Sequence, residues 1–147
     1  GRLPQIGDGR NLVDLTYIDN VVQALLLALD TPKALGRTYT ITNDEHVALW
    51  RVVKTVLRRL AIPADLRRVP VALALAVARL MELRASLAGG EPLLTRYSVA
   101  VLARTQTYDI TAARRDLGYA PAVSVADGIE RTIAYETSRQ SAVGSRQ

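Results

Sequence analysis

The residues with the clearest chemical potential lie in one short segment, where Asp14, Tyr17 and Asp19 combine two carboxyl groups with a phenol. Such groups perform general acid–base catalysis when they converge on one substrate. Successive side chains of an extended strand alternate between its faces, however, so Asp14 and Tyr17 would point in opposite directions. Asp19 and the adjacent Asn20 are more typical of a helix N-cap, whose side-chain oxygen accepts a hydrogen bond from a free backbone N–H.

Metal and thiol chemistry finds little support in the composition. The chain has no cysteine and one histidine, His46, which excludes thiolate metal sites, iron–sulfur clusters and cysteine nucleophiles. His46 follows the polar residues 43–45 and is predicted to lie in an exposed loop without partner ligands. The sequence therefore predicts no metal site.

Two features could bind an anion, and each has a simpler structural interpretation. Arg96 could contact a carboxylate or a phosphate, although the sequence favours a solvated helix arginine. Gly7 and Gly9 could cradle a phosphate, but Asp8-Gly9 between two apolar runs is a stronger signal for a tight turn.

The 147 residues include 19 Lys and Arg and 14 Asp and Glu, which gives a net charge of +5. A basic balance is compatible with nucleic-acid or anionic membrane partners. The arginines are spread from Arg2 to Arg146, however, and no basic segment alternates with aromatic residues as a base-stacking surface requires. The sequence therefore favours a solvated arginine-rich surface and no nucleic-acid partner. The lack of cysteine and of a bilayer-length apolar stretch favours a cytoplasmic protein without a transmembrane segment.

Apolar periodicity and turn residues predict the elements of the first half. Residues 3–18 are predicted to form a β-hairpin, and a helix follows that ends at Pro32. The predicted apolar stripe of this helix consists of Val21, Val22, Leu25, Leu26 and Leu29. Residues 37–42 are rich in β-formers, and residues 47–60 carry apolar side chains at helical spacing.

The second half is predicted to be mostly helical. Residues 70–87 are apolar on every side at first, which indicates a core helix or a lid over an apolar substrate. A membrane-surface helix fits less well, because a broad polar face is missing. Residues 93–103 form a further predicted helix, with Thr95 as its cap.

The last elements carry the clearest boundary signals. A short helix over residues 111–117 is predicted to end at Gly118, which suits a left-handed C-cap. Ser124 and Asp127 have the spacing of a capping box and open the final helix. Residues 138–147 are predicted to form a flexible tail.

Two motifs carry a family resemblance. The first reads Gly7-x-Gly9-x-Asn11-x-x-Asp14-x-x-Tyr17-Ile18-Asp19-Asn20-Val21-Val22-x-Ala24. The second reads Tyr108-Asp109-Ile110-x-x-Ala113-Arg114-x-x-Leu117-Gly118-Tyr119-x-Pro121-x-Val123-Ser124, followed by Asp127-Gly128-Ile129-x-x-Thr132. Together they resemble the C-terminal half of extended short-chain dehydrogenases/reductases. The Asn20-Val21-Val22 form and the apolar residues 69–78 are similar to the 3β-hydroxysteroid dehydrogenase/isomerase-like branch.

The resemblance implies an α/β parent fold of the Rossmann type. Residues 1–137 would be its mostly helical C-terminal, substrate-binding portion, with a β-hairpin and one or two short strands. In that family the upstream portion carries a glycine-rich turn for NAD or NADP and a Tyr-x-x-x-Lys pair for proton transfer. Neither motif occurs in this chain, so it is expected to bind no cofactor and to perform no catalysis alone.

The resemblance also implies a substrate class. The predicted hairpin of family members borders the substrate, which makes Val13 and Tyr17 candidate substrate-binding residues, with Arg96 as a third. Nucleotide-sugar epimerases of the family commonly have an arginine where this chain has Val13. This departure favours an apolar, steroid-like or 3-hydroxy/keto substrate of an NAD(P)-dependent oxidoreductase. The alternatives are a fragment of a nucleotide-sugar epimerase or dehydratase, and a non-catalytic regulatory module with a reductase-like fold.

Overall fold

The computed structural model describes residues 4–63 and 66–144, with side chains described up to residue 139. The strands in these ranges are β1 (Gln5–Ile6), β2 (Leu12–Asp14), β3 (His46–Ala48) and β4 (Arg68–Val69). The helices are α1 (Ile18–Asp30), α2 (Leu49–Arg59), α3 (Val71–Ala88), α4 (Arg96–Ala103), α5 (Thr111–Leu117) and α6 (Val125–Gly144), with a 3-10 turn at Pro32–Ala34. The chain is thus mostly helical with few strands, as predicted for the C-terminal portion of a Rossmann-type parent.

The strands pair differently from the predicted hairpin. β1 pairs with β4 in parallel, with Gln5 opposite Arg68, while β2 pairs with β3. The hairpin over residues 3–18 is therefore wrong, although its turn is confirmed, since Gly7 and Gly9 both have a φ of +77°. A turn depends on adjacent residues, whereas the partner of a two-residue strand is decided by tertiary packing.

The chain divides into two compact units. Unit 1 comprises Gly1–Val13 and Ala48–Gln106, and unit 2 comprises Asp14–Val47 and Thr107–Gln147. The buried cluster of unit 1 contains Ile6, Trp50, Ala74, Ala78 and Val99. The buried cluster of unit 2 contains Ala24, Ile110, Ala113, Leu117 and Tyr119. Each unit is therefore assembled from two stretches that are distant in sequence.

Unit 1 is organised around Trp50 of α2. Its side chain is 1% exposed, and Nε1 donates a hydrogen bond to the carbonyl of Leu102 in α4 at 3.0 Å. Ala74 and Ala78 place the small side of α3 in the same cluster, because alanine allows close approach of neighbouring helices. The predicted helix over residues 70–87 is confirmed, and α3 is a core helix on its alanine side. The helix predicted over residues 47–60 is shorter, since residues 47 and 48 belong to β3 and α2 spans Leu49–Arg59.

In unit 2, α1 confirms the predicted helix but not its buried face. Leu25 is 61% and Leu29 82% exposed, whereas Ala24 is 4% exposed and packs in the cluster that α5 contributes to. The helix is apolar on two sides, so the apolar pattern alone does not reveal which side is covered. The predicted cap at Asp19 or Asn20 is also wrong, because the N-cap position is occupied by Tyr17 without a side-chain cap hydrogen bond.

Residues 37–42, predicted to be β-rich, are not assigned to a strand. A side chain bonds to the end of this segment, since the Tyr119 hydroxyl donates a hydrogen bond to the carbonyl of Thr42 at 2.9 Å. Burial raises the pKa of Tyr119, and the negative charge of Asp44 adds to this effect. The predicted β-segment thus lacks a neighbouring ladder in the described part of unit 2.

The predicted caps of the later helices are confirmed. The Thr95 hydroxyl accepts a hydrogen bond from the backbone N–H of Ser98 at 3.0 Å. Gly118 adopts the left-handed conformation with a φ of +65°, and the Ser124 hydroxyl accepts from the backbone N–H of Asp127 at 3.1 Å. These signals are reliable because each involves neighbours within one helical turn.

The final helix, α6, extends into the segment that was predicted to be a flexible tail. The predicted flexible tail, residues 138–147, begins within α6, and residues 145–147 lie outside the described residues. Within residues 4–63 and 66–144, none of the helices combines the length and hydropathy that crossing a bilayer requires.

Candidate functional site

The side chain of Asn20, which is fully buried in α1, links distant segments of unit 2. Its Nδ2 donates to Asn43 Oδ1 at 2.7 Å and to the carbonyl of Val123 at 2.8 Å. Its Oδ1 accepts from the backbone N–H groups of Ala122 and Val123, both at 3.0 Å. All four hydrogen bonds that a primary amide can make are therefore formed, and Asn20 connects segments instead of capping its helix.

Asn43 completes this asparagine junction, which comprises Asn20, Asn43 and the backbone of residues 122–123. The buried Nδ2 of Asn43 donates to the carbonyl of Val123 at 2.9 Å. Its Oδ1 also accepts from the backbone N–H of Tyr17 at 3.0 Å. The two sequence motifs, one containing Asn20 and the other containing Val123, are thus hydrogen-bonded to each other, and the Tyr17 backbone is held by the same junction.

The ring of Tyr17 is positioned by α6. A Cβ atom on Gly128 would lie 2.8 Å from Cδ2 of the ring, so the close approach depends on glycine. The Arg131 guanidinium lies 5.7 Å from the ring centroid, within the range of a cation–π contact. Arg131 Nη1 also donates to Asp19 Oδ2 at 3.2 Å. Tyr17 therefore offers a fixed, partly buried aromatic surface.

An imidazole–carboxylate pair lies in the same unit. His46 Nδ1 is 2.5 Å from Oδ1 of Asp14, whose side chain is fully buried, and the backbone N–H of Tyr108 donates to Oδ2 at 2.8 Å. His46 belongs to β3 and not to the predicted loop, and its side chain is 48% exposed. A carboxylate in this position orients an imidazole and its tautomer, which is a requirement for proton transfer at Nε2. The sequence does not reveal this pair, because 32 residues separate its members.

Arg96 is paired with a carboxylate of its own unit. Its backbone N–H donates to Oε1 of Glu82 and its Nε to Oε2, both at 2.8 Å. The backbone hydrogen bond, followed by the guanidinium, holds the pKa of Glu82 below its ordinary value. A substrate anion that binds Arg96 therefore has to compete with Glu82.

The three predicted substrate-binding residues are divided between the units. Val13 lies in unit 1, is 7% exposed and forms a parallel bridge with Gln106. Arg96 belongs to the same unit, whereas Tyr17 belongs to unit 2.

A groove of about 330 Å³ lies at the C-terminal end of α3 in unit 1. Its lining residues are Met81, Arg84, Ala85, Ala88, Gly89, Gly90, Glu91, Pro92 and Leu93. Apolar side chains predominate, with one cation and one carboxylate among them, which suits a largely apolar ligand. The sequence pattern of α3 indicates its apolar character but not this groove.

The turn at Gly7 and Gly9, the glycine pair considered as a phosphate cradle, does not fit a dinucleotide. The turn at Gly7 and Gly9 leads into β2 and not into a helix N-terminus. The space beside Gly9 is taken by Gln5, whose Nε2 lies 2.5 Å from the position of an added Cβ, so a pyrophosphate has no cradle there. Among the described residues, no three potential metal-ligating side chains form a cluster.

Sequence comparison identifies relatives over most of the chain. The chain is 39% identical over 130 residues to the uncharacterized protein YbjS of Escherichia coli K12, covering 86% of this chain and 39% of the relative. It is 37% identical over 138 residues to 2-alkyl-3-oxoalkanoate reductase of Shewanella oneidensis, covering 89% and 36%. It is 36% identical over 140 residues to 3β-hydroxysteroid-dehydrogenase/decarboxylase isoform 1 of Arabidopsis thaliana, covering 87% and 32%. The chain thus spans less than half the length of these relatives, and no family model matches it.

Solved structures give the same fold. The crystal structure of gox2253 superposes with a TM-score of 0.63 at 22% identity, over 88% of this chain and 38% of that protein. The dTDP-glucose 4,6-dehydratase of Bacillus anthracis in complex with NAD superposes with a TM-score of 0.58 at 18% identity, over 92% and 34%. Over most of its length the chain is therefore homologous to a part of 3β-hydroxysteroid dehydrogenase-like enzymes, and it shares the fold of part of an NAD-dependent dehydratase structure. The family predicted from the two motifs is confirmed.

Replacement of Asn20 by alanine is expected to lower the free energy of unfolding by about 3 kcal/mol, because it leaves the backbone N–H groups of Ala122 and Val123 without their acceptor. Gln23→Ala on the same helix is the matched control. It removes one exposed hydrogen bond, to the carbonyl of Ala120, and should cost at most about 1 kcal/mol. Urea unfolding followed by circular dichroism measures both losses, and equal losses would contradict the role of the junction.

Replacement of Arg96 by glutamine is expected to raise the pKa of Glu82 towards its ordinary value, because the guanidinium interaction is lost. A lowered carboxyl pKa contributes stability at neutral pH that disappears as the pH falls through the lowered folded-state value. The variant should lose this contribution at a higher pH than the parent chain. A carbon-detected NMR titration of Glu82 measures the shift, with Arg79→Gln as control, and an unchanged midpoint would contradict the pairing.

Proposed function

We propose that this chain forms the substrate-binding portion of an NAD(P)-dependent oxidoreductase that acts on the CH–OH or ketone group of an apolar substrate. The substrate class is steroid-like or a 3-hydroxy/3-keto compound. The observation that carries the proposal is the alignment, over 87–89% of this chain, with a 2-alkyl-3-oxoalkanoate reductase and a 3β-hydroxysteroid-dehydrogenase/decarboxylase. Hydride transfer at a 3-oxo or 3-hydroxy carbon is the chemistry common to both names.

The candidate substrate contacts are Tyr17, Val13 and Arg96. The Tyr17 ring, fixed against Gly128, supplies an apolar wall with a hydroxyl at its tip. Val13 has no charge with which to hold a pyrophosphate, and the charge of Arg96 is partly neutralised by Glu82. These features favour an apolar substrate over a nucleotide sugar, for which the support is the shared fold alone.

The partner of this portion is an upstream Rossmann portion of the same protein. Support comes from the outward face of α1, where Val22, Leu25, Leu26 and Leu29 are 47–82% exposed. A contiguous apolar face of this size is typical of a surface that another element covers. The upstream portion would hold NAD or NADP, which supplies or accepts the hydride, while this chain binds and orients the substrate.

The chain alone is expected to bind NADH or NADPH with a dissociation constant in the millimolar range or weaker. The space beside Gly9, in the turn considered as a phosphate cradle, is filled by Gln5. Isothermal titration calorimetry with each dinucleotide measures the affinity. A micromolar dissociation constant would overturn the assignment of the cofactor site to the upstream portion.

In the protein that includes the upstream portion, Tyr17→Ala is expected to raise KM for an apolar 3-keto substrate about tenfold, because an aromatic contact is lost. KM for the dinucleotide should change less than twofold. Tyr97→Ala, at a tyrosine that is 77% exposed on α4, serves as the matched control and should leave both constants unchanged. Steady-state kinetics distinguish the outcomes, and an unchanged KM in the Tyr17 variant would remove Tyr17 from the substrate site.

A further inference from the structure

The carboxyl group of Asp14 is enclosed by the protein and bonded to a side chain that reaches the surface. The Asp14 side chain is fully buried, and its Oδ2 accepts a hydrogen bond from the backbone N–H of Tyr108 at 2.8 Å. Its Oδ1 lies 2.5 Å from Nδ1 of His46. Burial of a carboxylate is costly unless the group is paired and hydrogen-bonded. The pair thus places a buried negative charge directly behind a partly exposed imidazole.

The carboxylate determines the roles of the two ring nitrogens of His46. Because an ionised carboxylate only accepts hydrogen bonds, Nδ1 has to carry the proton of this contact. In the neutral ring, Nε2 then carries the lone pair. The side chain is 48% exposed, and its Nδ1 edge faces the buried carboxylate, so the exposed part of the ring includes the Nε2 edge. His46 therefore presents a basic nitrogen to molecules in solution.

The segment that leads to His46 is held by contacts with several parts of unit 2. Asn43 belongs to the buried asparagine junction, and the side chain of Asp44 is paired with an arginine of α5. Glu45 Oε1 accepts a hydrogen bond from the backbone N–H of Val125, the first residue of α6, at 2.8 Å. A reactive side chain needs such support, because a loosely held group spends little time in the productive geometry.

An imidazole in this state is a nucleophile for acyl groups. Histidine forms covalent intermediates when its neutral nitrogen attacks an activated carbonyl carbon. Acylation at Nε2 leaves a positive charge on the ring, which a carboxylate at Nδ1 stabilises through a charge-assisted hydrogen bond. The Asp14 carboxylate lies in this position, and because its side chain is buried, water screens its charge less than at the surface.

We propose that the Asp14–His46 pair is a reactive site that takes the acyl group of an activated ester, namely an aryl ester or a thioester. Nε2 attacks the carbonyl carbon, the bond from this carbon to the aryloxide oxygen or thiolate sulfur breaks, and an acyl-imidazolium forms. Water then adds to the acyl carbon and the carbon–nitrogen bond breaks. The electron pair of that bond returns to Nε2, and a carboxylic acid and a proton are released. The net reaction is hydrolysis of the ester.

This inference goes beyond the proposed oxidoreductase, since acyl transfer needs neither a dinucleotide nor a Tyr-x-x-x-Lys pair. The two members of the pair have different roles. His46 contacts the acyl group and is the catalytic residue, whereas Asp14 acts through His46 and is a positioning residue. The full chain is sufficient for the test, because both residues and the contacts that hold them belong to unit 2.

Hydrolysis of p-nitrophenyl acetate by the full chain, prepared without a histidine tag, tests the proposal. His46 is the single histidine of the sequence, so every histidine-dependent signal comes from this site. The second-order rate constant is expected to exceed that of 4-methylimidazole at the same pH at least about tenfold. His46→Gln should abolish turnover. Mass spectrometry of samples quenched during turnover should find the acetyl group on His46.

Asp14→Asn is expected to lower the rate constant at least about tenfold, because an amide neither fixes the tautomer nor offsets the positive charge of the acylated ring. Asp109→Asn is the matched control. Asp109 is exposed in the same unit and bonds to the backbone N–H of Thr111, and its replacement should change the rate constant less than about twofold. Circular dichroism verifies that each variant is folded.

A nitrogen NMR spectrum of the imidazole in the unaltered chain gives a readout that requires no variant. The proton of the neutral His46 ring is expected on Nδ1. A proton on Nε2, a rate constant equal to that of 4-methylimidazole, or equal rates for Asp14→Asn and Asp109→Asn would each contradict the proposal. Turnover that survives His46→Gln, or acetyl groups confined to lysine and tyrosine side chains, would do so as well.

Discussion

The buried amide of Asn20 is the interaction on which the arrangement of unit 2 depends. A buried donor or acceptor without a partner costs about 1–3 kcal/mol, so the four bonds of this amide favour one mutual arrangement of α1, Asn43 and residues 122–123. Asn43 extends the same constraint to the backbone of Tyr17. A residue proposed to contact substrate is thus placed by a group that has no chemical role of its own.

The sequence predicts what is decided by near neighbours. The helices and the caps at Thr95, Gly118 and Ser124 follow from residues within one turn, and the family follows from two spaced motifs. Three predictions were wrong: the hairpin partner of β1, the buried side of α1 and a strand over residues 37–42. Each of these features depends on segments that are distant in sequence. The asparagine junction and the Asp14–His46 pair are invisible for the same reason, because their members are 23 to 103 residues apart.

The net charge of the chain is distributed unevenly between the two units, which the composition alone does not show. A net charge of +5 is unremarkable for a chain of this size, yet it results from a strongly basic unit and a mildly acidic one. Both units expose apolar helix faces, and hydropathy alone does not distinguish them. Electrostatics does, because association with a charged surface depends on the local charge density and not on the total.

The interleaved construction of the two units has a consequence for biosynthesis. β1 cannot pair with β4 until Arg68, the partner of Gln5, has been synthesised. The amide oxygen of Asn20 likewise cannot accept its hydrogen bonds until residues 122–123 have been synthesised. Closing such long loops is entropically costly and slow compared with local folding. While the ribosome is still extending the polypeptide, the first motif therefore remains without its partner. During this interval the leucine-rich helix α1, which belongs to the first motif, can bind chaperones or aggregate.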